Sequence, residues 1–135
     1  MADKIRRVNY CHVEVADRPG EGARVLAALH DQGVSLLSMT AFPRGTGNAQ
    51  IDLVAGTGDL EKAAAKAGLK LSARKPAFFI TGTDRPGAVA SILKKLAEAK
   101  INVTAANAAC GQSGFGMILW VKPADVEAAA KALGI

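Results

Sequence analysis

Polar and apolar residues alternate over 4–16, where Cys11, Val13 and Val15 interleave with Tyr10, His12 and Glu14. This period of two predicts a half-buried strand. Asp17-Arg18-Pro19-Gly20 ends it, because Pro cannot donate to a ladder and Gly accepts unusual backbone angles. Val25, Leu26 and Leu29 then recur at helical spacing. A helix is expected to about Gln32, with Gly33 closing it. A strand over 34–42, the turn-forming run 43–48 and a strand over 49–55 predict a hairpin. Asp59 is placed to cap a helix over 60–67, and 69–73 reads as a short last strand. The order β-α-β-β-α-β is the ferredoxin-like split βαβ unit.

The second half repeats this pattern. Asp-Arg-Pro-Gly returns at Asp84-Arg85-Pro86-Gly87, an offset of 84 − 17 = 67 residues. Self-similarity at a fixed period marks a duplicated unit. Phe78 and Ile80, in a strand over 77–83, fall where Cys11 and Val13 fall in the first copy. Val89, Ile92, Leu93 and Leu96 then mark one buried helix face. A strand over 101–110, a turn over 111–114, a strand over 116–121 and a helix over 126–133, capped by Asp125, complete the chain. The second copy has no fourth strand, so its first strand should present an open edge. That edge is expected to be filled by the N-terminal strand, by residues 69–73 or by a second chain. Gly22 stands where the second copy has Val89 (89 − 67 = 22); a neighbouring side chain is expected to fill the space, the alternative being a ligand cavity.

Composition narrows the function. Half of the 135 residues are apolar and 4 % are aromatic, so the core must be aliphatic. No apolar run approaches the ~20 residues of a membrane span, and the charged start lacks the apolar stretch of a signal peptide. A cytoplasmic protein, without membrane partners, is expected. Cys11 and Cys110 lie in predicted strands and are expected to be buried hydrophobes rather than reactive thiols. The net charge of +5 is carried by scattered residues, as suits solubility. The RNA recognition motif shares this topology, but the aromatic pair it needs on its central strands is missing. No nucleic-acid partner is expected. His12 and His30 are far apart, and no metal-ligand spacing, nucleophile elbow or phosphate loop is present. No enzyme activity, metal or cofactor is therefore expected.

A βαββαβ unit with Asp-Arg-Pro-Gly between its first strand and first helix resembles the ACT domain, a regulatory module that binds amino acids and controls metabolic enzymes. The resemblance covers nearly all of the chain. It implies an α+β fold of two ferredoxin-like ACT repeats, over 1–75 and 76–135, the second lacking its last strand. It also implies allosteric regulation, a homodimer, and a metabolic enzyme or regulator as partner. ACT modules of this kind carry a polar residue two positions before Pro-Gly, here Asp17 and Asp84, and often another early in strand two, here Ser35 and Asn102.

The chemistry suits an amino acid. A helix N-terminus offers free N–H groups and partial positive charge, and Gly20 and Gly87 leave it bare for a carboxylate. Asp17 or Asp84 can accept from an ammonium group, Asn102 can donate and accept, and Arg18 or Arg85 can pair with a carboxylate or face solvent. The expected ligand site is Asp84, Arg85, Pro86, Gly87 and Asn102 in copy two, with Asp17, Arg18, Gly20 and Ser35 in copy one. The same phrase has a structural use: Asp caps the helix, Pro starts it and Gly makes the turn. The alternative is an interaction module that has lost its ligand. Both faces of the second sheet read as apolar, which predicts a dimer or a closely packed pair of copies.

Overall fold

A computed structural model of the chain describes residues 2–135. The fold is α+β, with six strands and four helices among the described residues. It forms two compact units, Tyr10–Arg74 and Met1–Asn9 with Lys75–Ile135. The first strand, β1 (Lys4–Ala16), is 13 residues long and contributes to both.

In the unit Tyr10–Arg74, β1 is followed by α1 (Glu21–Asp31), the hairpin of β2 (Ser35–Pro43) and β3 (Asn48–Thr57), and α2 (Leu60–Lys66). β3 pairs antiparallel with both β1 and β2. The expected alternation places Cys11, Val13 and Val15 beneath the helices, where they pack with Val25, Leu29, Ile51 and Leu53. Asp59 caps α2 as expected, accepting from the Lys62 N–H at 3.0 Å. The strand expected over 69–73 is reduced to a single bridge, Val13 with Leu71. Ser72 takes over there. Its N–H donates to His12 O at 2.9 Å, and its hydroxyl oxygen accepts from the His12 N–H at 2.8 Å. A side chain thus replaces one backbone partner, and the ladder stops.

In the other unit β4 (Lys75–Gly82) leads to α3 (Ala88–Glu98), the hairpin of β5 (Val103–Gly111) and β6 (Gly114–Val121), a 3-10 turn (Pro123–Asp125) and α4 (Val126–Leu133). β6 pairs antiparallel with β4 and β5. The free side of β4 is occupied by β1, which gives the strand order β2-β3-β1-β4-β6-β5. The N-terminal strand therefore fills the edge that the second copy lacks a strand to cover. That is why residues 2–9 group with Lys75–Ile135 rather than with the residues that follow them.

Phe78, Ile80, Ile92, Leu96, Met117, Leu119 and Leu133 form this unit's core. Each such side chain, fully buried, stabilises by about 1.5–3 kcal/mol. Leu93, expected on the buried helix face, is 36 % exposed, and Ala88 takes the inner position instead. Ile118 and Trp120, on the opposite face of β6, are buried as well. Asp125 precedes α4 without a side-chain capping bond, because the 3-10 turn leads into the helix there.

Candidate functional site

The two Asp-Arg-Pro-Gly phrases occupy equivalent places, between β1 and α1 and between β4 and α3. The aspartates do not cap the helices. Gly20 and Gly87 hold the N-cap positions in the left-handed region, at φ 91° and 84°, and neither helix has a side-chain cap. A capping aspartate needs extended backbone at that position. Here the chain turns through a glycine instead, which sets each Pro before the cap rather than in the helix. The result is a helix start with open space around it: a Cβ placed on Gly20 or Gly87 would meet nothing within 4 Å. The same holds at Gly22, so no neighbour fills the space left beside the first turn of α1.

Around the second turn the side chains are tied down. The Asp84 carboxylate accepts from Cys110 Sγ at 3.2 Å. That contact, with burial adding to it, raises the Cys110 thiol pKa above its ordinary value. Cys110 is exposed, contrary to the burial expected of it, because β5 ends the strand order and is exposed along nearly its whole length. Arg85 does not face solvent freely. Its Nη1 and Nη2 donate to Asp3 Oδ1 and Oδ2, both at 3.0 Å, and Nη1 also donates to Thr83 O at 2.8 Å. The guanidinium lies over the Phe115 ring, 5.9 Å from its centroid. The hydrogen bond from Arg85 holds the Asp3 carboxyl below its ordinary pKa. Asn102 is exposed just before β5, and no side-chain hydrogen bond joins it to Asp84 or Arg85 among the described residues.

The first turn is looser. Among the described residues Arg18 reaches only Glu21, at 3.4 Å, and its side chain is 70 % exposed. Asp17 is fixed through its backbone, its N–H donating to Gly47 O at 3.0 Å. The position matching Cys110 is Pro43 (110 − 67 = 43), which offers no donor, and that matching Phe115 is Asn48. Ser35 is exposed at the start of β2. A cavity of about 430 Å³ in this unit is lined by His12, Glu14, Lys70, Leu71 and Ser72, and not by the residues of the turn.

The partners of the second turn were not read from the sequence. Asp3 lies 82 positions from Arg85. One signal was available: if the N-terminal strand fills the open edge beside β4, the residue before that strand comes to the end of β4, where the turn begins. Among the described residues no cluster of three metal-ligating side chains occurs, and no helix is long and apolar enough to cross a membrane.

No protein-family profile and no curated protein matches the sequence. Solved structures do match the fold. Protein BT0572 from Bacteroides thetaiotaomicron aligns over 96 % of this chain and 88 % of its own, with a TM-score of 0.80 and 12 % identity. The regulatory subunit of aspartate kinase from Thermus thermophilus aligns over 97 % of this chain and 93 % of its own, with a TM-score of 0.64 and 16 % identity. Aspartokinase III from E. coli, in a complex with lysine and aspartate, aligns over 98 % of this chain with a TM-score of 0.58 and 14 % identity; the match spans 32 % of that enzyme. At these identities the likeness is one of fold.

Proposed function

We propose that this chain is a non-catalytic regulatory protein built from two tandem ACT repeats, and that it binds an amino acid at its strand-to-helix turns. The observation that carries this reading is the start of α3. Gly87 holds it open without a side-chain cap, with Asp84 and Arg85 in the same turn and the exposed Asn102 leading into β5. An uncapped helix start attracts a carboxylate, and Asp84 supplies the charge an ammonium group seeks. The fold shared with regulatory subunits of aspartate kinase supports the assignment. Copy two is the principal site, formed by Asp84, Arg85, Pro86, Gly87 and Asn102. Copy one offers Asp17, Arg18, Gly20 and Ser35 and is the weaker site. The protein acts in the cytoplasm as a homodimer, passing ligand occupancy to a metabolic enzyme or regulator. Light scattering at micromolar concentration should give about twice the chain mass of 13.9 kDa, and a monomer would count against the dimer.

A second reading is favoured by one observation: Arg85 is already paired with Asp3. On that reading the turn has become an internal fastening, and the chain is an interaction module without a ligand. Calorimetric titration with the twenty amino acids separates the two. Binding of one of them, lost in Asp84→Ala or Asn102→Ala, supports the sensor; no binding by any supports the interaction module.

A further inference from the structure

We infer that Asp3 is a built-in occupant of a carboxylate seat on Arg85, and that an external carboxylate takes the seat by displacing it. The inference rests on the reading of the second Asp-Arg-Pro-Gly turn as a ligand site, and it makes the Asp3–Arg85 pair part of that site's operation rather than evidence against it.

The guanidinium of Arg85 has two contacts besides Asp3. Arg85 is held by Thr83 O, to which Nη1 donates at 2.8 Å, and by the Phe115 ring beneath the guanidinium. Nη1 and Nη2 meet the two oxygens of Asp3 in parallel, at 3.0 Å each. That fork-to-fork geometry is how a guanidinium takes any free carboxylate. The Asp3 side chain is only 12 % exposed, so the seat is largely closed while Asp3 is in place. Space for the carboxylate depends on a residue without a side chain: a Cβ on Gly82 would collide with Asp3 Oδ1 and the Phe115 ring. Gly82 lies outside the left-handed region, so this glycine serves space rather than backbone freedom. Copy one provides the contrast. Arg18 has neither an aromatic beneath it nor a carboxylate in fork geometry.

Asp3 immediately precedes β1 and is tethered to the unit by that strand's pairing with β4. A tethered group competes at an effective concentration in the millimolar range or above. A bare carboxylate therefore competes poorly. A ligand that also places an ammonium group on Asp84 competes better. Asp3 thus selects against simple organic acids and in favour of zwitterions.

The test uses acetate, which reports the seat alone, and follows the Arg85 Nε–H resonance of the full-length chain by NMR. In Asp3→Asn, acetate should shift that resonance saturably, with a midpoint at least tenfold lower than in wild type. Asp3→Glu, which keeps a carboxylate, should restore the wild-type midpoint. Equal midpoints in wild type and Asp3→Asn, or no shift in Asp3→Asn, would overturn the inference. Asp3→Ser serves as the open-seat variant if the amide spectrum shows that Asp3→Asn is misfolded. These outcomes are independent of the amino-acid titration. A silent amino-acid screen with a saturable acetate shift defeats the sensor and keeps the seat; a positive screen with no effect of Asp3 does the reverse.

Discussion

At the scale of single residues, two carboxylates in the second unit govern the chemistry around the turn. Asp84 beside Cys110 keeps the thiol protonated, since a thiolate there would face a negative charge. Asp84→Asn should lower the Cys110 pKa and speed its alkylation by iodoacetamide near pH 8 several-fold. Cys11 is buried, and burial raises its thiol pKa, so it serves as the slow internal reference. No change in the rate at Cys110 would mean that the hydrogen bond does not persist in solution. Asp3 makes stability depend on pH with a definite sign. Its folded pKa lies below the ordinary 3.8, so the unfolded chain takes up the proton first as pH falls. The contribution of the Arg85 pair is complete above 3.8 and is lost as pH drops through the folded value. Urea unfolding should therefore find Asp3→Asn less stable than wild type at pH 7, with the difference closing under acid conditions. A difference that stays constant across that range would contradict the pairing.

At the scale of elements, the turns and hairpins are local, and most were legible. Asp59 before an Ala-rich run announces its capping bond to Lys62, and the Gly- and Asn-rich run 43–48 announces the β2–β3 hairpin. What the sequence hid depended on partners distant along the chain. The alternation of 69–73 resembles a strand, yet Ser72 satisfies His12 through its hydroxyl and the ladder ends after one bridge. Ser72→Ala should cost roughly 0.5–1.5 kcal/mol by denaturant unfolding, as a lost hydrogen bond to a partly buried amide does. The aspartates of the two turns look like helix caps, and only the backbone shows that Gly20 and Gly87 hold those places. Gly87→Ala should then cost about 1–2 kcal/mol, because an alanine at φ 84° crowds its own carbonyl. Gly22→Ala, in a helix with open space around the new methyl, should instead stabilise by up to about 0.5–1 kcal/mol. Equal effects at the two positions would contradict the assignment of their backbone roles.

At the scale of the whole molecule, a 67-residue repeat is visible in the sequence as a doubled phrase and two matched sets of apolar positions. The repeat alone did not decide how its shorter second copy completes a sheet. The length of β1 held the answer: at 13 residues it pairs with β3 over Cys11–Ala16 and also neighbours β4. That sharing brings Asp3 to Arg85 and makes the two turns unequal, with Arg85 paired to the chain's own Asp3 carboxylate and Arg18 largely exposed. Unequal turns in the two halves of the sequence repeat suit the proposed sensor with one principal site. Calorimetric titration of the full-length protein against each of the twenty amino acids tests this most directly. One amino acid should bind wild type saturably, and Asp84→Ala or Asn102→Ala should abolish its heat while leaving the unfolding midpoint of the unliganded protein within a few degrees. The absence of heat from all twenty, on protein shown to be folded, would contradict the sensor.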